Sequence, residues 1–288
     1  MARISDLLTQ GQTISFEFFP PKDAAAQAQL ESALVELEPL GPSFVSVTYG
    51  AGGATRDRTR EVVVGIEHQR SFEAMAHLTC VGHTRAEVGT ILGQYQGEGV
   101  SNILALAGDP PADGSDPGGE FAYALELVEF VREAGDFSVG VAAHPEGHPR
   151  STDLPTDREH LARKLDVADF AITQFFFRAQ DYFSMVEDLA VLGVDKPVLP
   201  GIMPVTNAGQ VKRFAEMAGA QFPADLAARI QDAPTPADVR RIGIEFAVDL
   251  CRELLAGGVP GLHFYTLNRS RSTREVCAQL DLPNQPGN

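Results

Sequence analysis

ISFEFFPPK, residues Ile14–Lys22, reads as a β-strand that stops at two prolines. Aromatic and β-branched residues suit a pleated strand. Pro20 and Pro21 supply no backbone N–H and end the ladder. Inside the aromatic run stands one carboxylate, Glu17. Side chains alternate along a strand, so Ser15, Glu17 and Phe19 share one face, and Phe16 and Phe18 the other. Glu17 then has two readings. It is either half of a structural ion pair or a functional acid at a strand end.

The pattern recurs along the chain. Strand-like runs occur at TISFEFF (13–19), SFVSVT (43–48), EAMAHLT (73–79), NILALAG (102–108), SVGVAAH (138–144), FAITQFFF (170–177), PVLPGIM (197–203) and GLHFYTL (261–267). Most lie roughly 30 residues apart, the spacing of a βα unit. Helical patterns fill the gaps. AAAQAQLESALVELEPL places Leu30, Leu34 and Leu37 on one face, with Pro39 as the stop. VRRIGIEFAVDLCRELLAGG spaces Val239, Ile242, Phe246, Leu250 and Leu254 by three or four and ends at Gly257. The longer gap before the eighth run holds an extra helix. The expected fold is α/β, a single-domain (βα)8 TIM barrel over residues 1–288 with no regulatory domain. An open doubly wound sheet carries GxGxxG after its first strand. Nothing like it follows ISFEFF, and YGAGGAT has Thr55 where the third glycine belongs.

Composition excludes several functions. The formal net charge is −16 and no Lys/Arg run offers a basic face, so nucleic acid is not a partner. No run approaches the ~20 apolar residues that cross a bilayer. Cys80, Cys251 and Cys277 form no CxxC pair, which fits a reducing cytoplasm. Anionic ligands would need local cations, backbone N–H groups or helix N-termini.

In a barrel the active site forms at the C-terminal strand ends. Those ends carry Glu17; Thr48 and Tyr49; His77 and Thr79; Asp109; His144, Glu146 and His148; Gln174; Thr206 and Asn207; and Tyr265, Asn268 and Arg269. AHPEGHP could hold a metal through His144 and His148, but its prolines forbid the helical HExxH geometry, and no metal is expected. Asp109 in AGDPP suits a turn. Phe175–Phe177 reads as packing. In TNAGQVKRF, Thr206 or Asn207 is the N-cap, and Gln210 and Phe214 share a helix face, where a Phe is usually core.

Taken together, SFEFFPPK, FVSVTYGAGG, AHLTC, LALAGDPP, HPEGHPRS, FAITQFFF, PGIMPVTN and LHFYTLNRS resemble the methylenetetrahydrofolate reductase family, from about Ile14 to Thr273. The resemblance implies an FAD-containing barrel that reduces 5,10-methylenetetrahydrofolate with NADH or NADPH in a ping-pong cycle. A homo-oligomer is expected. It implies a general acid at Glu17 and a catalytic, pterin-side carboxylate at Asp109. Cofactor contacts fall on Thr48, Tyr49, Ala51, His77, Gly108, Asp109, Tyr123, Ala124, His144, His148, Asp157, Arg163 and Lys164. Substrate contacts fall on Glu17, Thr48, Asp109, Gln174, Gln210, Phe214 and Arg269, with the Phe214 ring stacking on the ligand. The chain departs from the family pattern at Ala107, where an arginine is usual, at His144, and in the glycine-free DVADF turn. Flavin-free hydride transfer and a non-catalytic folate-binding subunit are the competing readings. Apolar surroundings are expected to favour protonated Glu17.

Overall fold

The computed structural model describes residues 2–50, 56–109, 118–207, 209, 213, 220–280 and 282. In chain order the elements are α1 (Ile4–Gln10), β1 (Thr13–Phe18), α2 (Ala24–Leu37), β2 (Phe44–Val47), α3 (Arg56–Gln69), β3 (Glu73–Thr79), α4 (Arg85–Gly97), β4 (Asn102–Leu106) and α5 (Ala124–Ala134). They continue as β5 (Ser138–Ala143), α6 (Leu154–Val167), β6 (Phe170–Thr173), α7 (Ala179–Val191), β7 (Val198–Leu199), β8 (Gly201–Ile202), α8 (Ala224–Gln231), α9 (Pro236–Ala256), β9 (Gly261–Tyr265) and α10 (Arg271–Cys277). None of these helices is long and apolar enough to cross a membrane.

All ladders are parallel, in the order β7-β6-β5-β4-β3-β2-β1-β9-β8. The single seventh strand expected over 197–203 is two short pieces. Val198 and Leu199 pair with β6, and Gly201 and Ile202 pair with β9. Pro200 lies between them and has no N–H to give; its carbonyl accepts from His263 N at 3.0 Å. The strand changes partner at that proline, and the change closes the barrel. α8 and α9 supply extra helix before the last strand, as the long gap requires.

Four of the helices, α2, α4, α6 and α9, begin at side-chain caps. Asp23, Asp153 and Thr235 accept from Ala26 N, Thr156 N and Asp238 N, and Thr84 with Glu87 forms a full capping box. Each cap stabilises its helix by about 1 kcal/mol. Outward strand residues Phe16, Phe18, Val45, Val47, Ala74, Ala76 and Leu78 form the core beneath the helices. Inward residues Phe44, Met75, Leu104, Phe170, Ile172 and Leu199 fill the barrel floor together with Ile4 of α1. α1 is absent from the sequence reading, since ISDLLTQ buries only Ile4. It plugs the barrel because inward side chains receive its first N–H groups: Ile4 N donates to Asn102 Oδ1 at 2.9 Å and Ser5 N to Ser138 Oγ at 3.1 Å.

Candidate active site

The register turns Glu17 inward. It lies opposite Ser46 on β2 and Tyr265 on β9, while Phe16 and Phe18 pack under the helices. The aromatic residues that flank Glu17 in sequence therefore do not surround its carboxylate. Its Oε2 instead lies 3.4 Å from His77 Nε2 and 3.7 Å from His263 Nε2. Glu17 is 8% exposed and His263 fully buried. Neither histidine Nε2 has an aligned hydrogen bond among the described residues, and Thr79 Oγ1, one inward step above His77, also lacks one. Burial pushes His77 down to about 4, with Glu17 pulling the other way.

His263 is held from behind. Its Nδ1 lies 2.8 Å from Ser15 Oγ, and which atom donates depends on the imidazole tautomer. Phe44 stacks on its ring at 6.1 Å. The Tyr265 hydroxyl donates to Thr173 O at 2.7 Å, and burial holds its pKa well above the phenol range. Neither Ser15 nor His263 was singled out as a site residue. The signal was present in the alternation of GLHFYTL, which puts His263 and Tyr265 on one face.

The rim over β2, β3 and β4 is built from backbone turns. Thr48 N donates to Phe18 O at 2.9 Å, and Thr48 O accepts from Thr59 Oγ1 at 3.0 Å. The Tyr49 hydroxyl meets His83 Nε2 at 3.1 Å, and burial pushes Tyr49 up to about 12. His83, unremarked in sequence, joins two loops, because its carbonyl accepts from Glu120 N at 2.9 Å. Gly108 and Gly119 have φ of 85° and 97°. A Cβ on Gly108 would meet Val81 Cγ1 at 2.5 Å, and one on Gly119 would meet His83 backbone N and O at 2.9 Å. Only glycine fits either turn. Asp109 is exposed, Tyr123 is 72% exposed, and Ala124 opens α5. Ala51 lies outside the described residues.

Over β5 and β6 the rim carries two imidazoles and one buried lysine. The rings of His144 and His148 meet edge to face at 4.6 Å. Burial, then the charges of His148 and Lys164, pushes His144 down to about 4. Lys164 Nζ donates to Ala142 O at 2.9 Å, and burial lowers it to about 8 against the pull of Asp157. Asp157 accepts from His148 N and Ser151 Oγ, and pairs with Arg158 at 3.2 Å. Arg158 is 3% exposed and donates to the carbonyls of His144 and Pro145, so this pair builds the loop. Arg163 points outward on α6, 3.9 Å from Glu159. Gln174 sits at the end of β6, with Oε1 accepting from Phe175 N at 3.1 Å. Asn207 Oδ1 accepts from Gly209 N at 2.8 Å, whereas Gln210 and Phe214 lie outside the described residues. Arg269 is exposed beside β9. Phe175 and Phe177 pack in a second core with Val205, Leu226 and Ile230, as the packing reading expects.

These residues fit a flavin dinucleotide. The two glycine turns pack tightly against Val81 and His83 and put no side chain on the rim there. His77 and Thr79 aim unbonded polar atoms inward. Lys164, with the neutral imidazoles of His144 and His148 beside it, offers hydrogen-bond donors that an anionic diphosphate would complement. A separate cavity of about 500 Å³ lies outside the barrel between α2 and α3, lined by Gln27, Arg58 and Arg70 among others, and holds none of these groups.

A closed parallel barrel with a buried carboxyl group between two histidines and a lysine-bearing rim at its C-terminal end is an enzyme scaffold of the (βα)8 class. The methylenetetrahydrofolate reductase family model matches residues 3–281, and the chain belongs to that family. It is 39% identical over 281 residues to 5,10-methylenetetrahydrofolate reductase of Salmonella typhimurium, covering 96% of this chain and 93% of that protein. It is 36% identical over 298 residues to methylenetetrahydrofolate reductase (NADH) 1 of Arabidopsis thaliana, covering 97% of this chain and 50% of that protein. Among solved structures it resembles an uncharacterised protein from Clostridium thermocellum that binds two copies of 5-methyl-5,6,7,8-tetrahydrofolic acid. That match has a TM-score of 0.67 at 13% identity and covers 96% of this chain and 97% of the other. At that identity the likeness bears on the fold alone.

Proposed function

We propose that this protein reduces 5,10-methylenetetrahydrofolate to 5-methyltetrahydrofolate with NAD(P)H, using FAD, and that Glu17 is the general acid. The observation that carries this reading is the placement of Glu17 at the barrel mouth between two imidazoles, in a family whose named relatives are these reductases. When bound, FAD supplies the two-electron carrier that takes hydride from nicotinamide and gives it to the one-carbon unit. The described residues form one sheet, so both substrates are read as using the same mouth in turn.

The folate ring must open to a 5-iminium cation before it accepts hydride, and opening needs a proton at N10. Glu17 gives that proton. A buried carboxyl needs partners in both of its protonation states. His263 can meet both. Its Nε2 stands 3.7 Å from Glu17 Oε2 and makes no hydrogen bond to it in this structure; with that distance shortened, Nε2 would accept from the Glu17 O–H when Nδ1 is protonated and donate to the carboxylate when Nε2 is protonated. The Ser15 hydroxyl serves either tautomer, because it both donates and accepts and has Leu262 O at 3.4 Å as a second partner. His77 is held neutral near pH 7 by its burial, so the acid does not spend its proton on that ring. Asp109, whose charge is felt at His148, orients the pterin and favours the cation. Lys164 and His148 hold the FAD diphosphate, and Gln174 and Arg269 contact the folate.

The purified protein should show the visible absorption bands of a flavin. NAD(P)H should bleach them, and methylenetetrahydrofolate should restore them. A colourless protein that oxidises NAD(P)H in the presence of the folate would favour flavin-free transfer. No folate-dependent oxidation at all would reject the activity.

A further inference from the structure

The chain leaves β9 through two consecutive left-handed residues, Leu267 at φ 53° and Asn268 at φ 57°. They are the two non-glycine residues with positive φ among the described residues. Asn tolerates this conformation through local hydrogen bonds, whereas Leu has none to offer. Strain of this kind persists only where the surroundings over-determine it, and such residues cluster at functional sites.

The side chains of Asn268 and Thr266 tie the turn to the strand of Glu17. Asn268 Oδ1 accepts from Phe19 N at 2.7 Å, and Asn268 Nδ2 donates to Phe19 O at 2.9 Å. The carboxamide thus pairs with Phe19 as a neighbouring peptide would in a ladder, one residue past the end of β1. Thr266 Oγ1 and Thr266 N both donate to Glu17 O, at 2.6 and 3.3 Å. Asn268 N donates to Thr266 Oγ1 at 3.2 Å, and Gln29 Nε2 of α2 donates to Asn268 O at 2.9 Å. The segment needs this support, since Pro20 and Pro21 follow at once and donate nothing. On its other side Thr48 N donates to Phe18 O at 2.9 Å. The residue after Asn268 is the exposed Arg269.

We infer that Asn268 is a positioning residue for folate reduction: its carboxamide locks the Glu17 strand end to the loop that presents Arg269, so that acid and folate contact move as one unit. This inference rests on the general-acid reading of Glu17. It requires that loss of the bracket harm the step that needs an acid and spare the step that does not. NAD(P)H oxidation with a soluble quinone needs flavin reduction and no proton from Glu17, so it serves as the internal control.

The test uses the FAD-bound full chain with Asn268→Gly and Asn268→Asp. Glycine removes the bracket but suits the left-handed backbone, so folding is preserved. Aspartate keeps an acceptor for Phe19 N and sets a second oxygen against Phe19 O. Both variants should lose roughly 10- to 100-fold in kcat for methylenetetrahydrofolate, the scale of a small misplacement of a reacting group. Quinone-dependent turnover should stay within about twofold of the parent, the range expected when no transition-state contact is removed. Amide hydrogen exchange in the peptide containing Phe19 should quicken in both. Unchanged folate turnover in Asn268→Gly overturns the inference and leaves the general-acid reading standing. Equal loss of both activities overturns it in favour of a purely structural role. If the parent protein shows no folate turnover while quinone turnover persists, the general-acid reading fails and the inference falls with it.

Discussion

At the floor of the barrel the inward polar side chains Asn102 and Ser138 are each bonded to a backbone N–H of α1. At the mouth, His77, His263 and Thr79 point inward with atoms that find no aligned partner among the described residues. Both ends are buried and both use strand positions of the same inward face. The difference lies in what closes them. The floor is closed by its own chain, through Ile4 and six large apolar side chains. The mouth leaves its unbonded polar groups to be met by a ligand or by water, because a buried polar atom left unbonded costs about 1–3 kcal/mol. Three atoms at the floor end break the pattern: Thr13 Oγ1, Ser101 Oγ and Glu73 Oε2, the last beside Glu67, have no aligned partner among the described residues.

The contrast can be broken most severely at the floor. Phe170 is fully buried there, and Phe170→Ala should cost about 3–5 kcal/mol of stability by cavity formation. Activity per folded molecule should hold, because the mouth does not rest on that ring. Chemical denaturation read beside specific activity checks both halves; lost activity without lost stability would contradict the separation.

Acidification should weaken the mouth. Burial depresses His77 and His144 to about 4. A depressed folded value means their contribution is present above the ordinary histidine value and lost as pH falls through about 4. Stability should therefore decline between pH 6.5 and 4. His77→Gln should flatten that slope by about 2 kcal/mol, somewhat less than the full linkage value. An unaltered slope in urea titrations across that range would show that His77 titrates freely.

The floor should show the opposite sign with a smaller size. Burial and the neighbouring Glu73 raise Glu67 to about 7. Its contribution is therefore complete below the ordinary carboxyl value of 4.5 and lost as pH rises through about 7. Glu67→Gln should stabilise the protein at pH 8 by about 1 kcal/mol and change little at pH 4. Equal effects at both pH values would rule out a shared-proton pair.

Much of this contrast was legible in the residues. Eight strand positions follow from the spacing of the apolar runs, and alternation separates Glu17 from Phe16 and Phe18, but the ladder register is what turns Glu17 inward. The floor plug was not legible, because α1 is short and buries one side chain. The break at Pro200 was hidden inside an apolar run whose two halves serve different neighbours. At the site, Arg163 has the right charge for an anionic ligand but faces solvent, while the adjacent Lys164 faces the rim. One helical step, about 100° of rotation, separates them, and composition does not reveal it. The Ser15–His263 pair escaped notice because its members lie 248 residues apart.

The central claim is that Glu17 supplies a proton to the folate and does nothing essential for nicotinamide oxidation. Glu17→Gln keeps the shape and a hydrogen-bonding group between His77 and His263 but removes the acid. Rapid mixing of the FAD-bound variant with NAD(P)H should reduce the flavin at close to the parent rate, while methylenetetrahydrofolate should fail to reoxidise it, by a factor of roughly 100 or more. Reoxidation at the parent rate, or loss of both half-reactions with flavin still bound, would contradict the account.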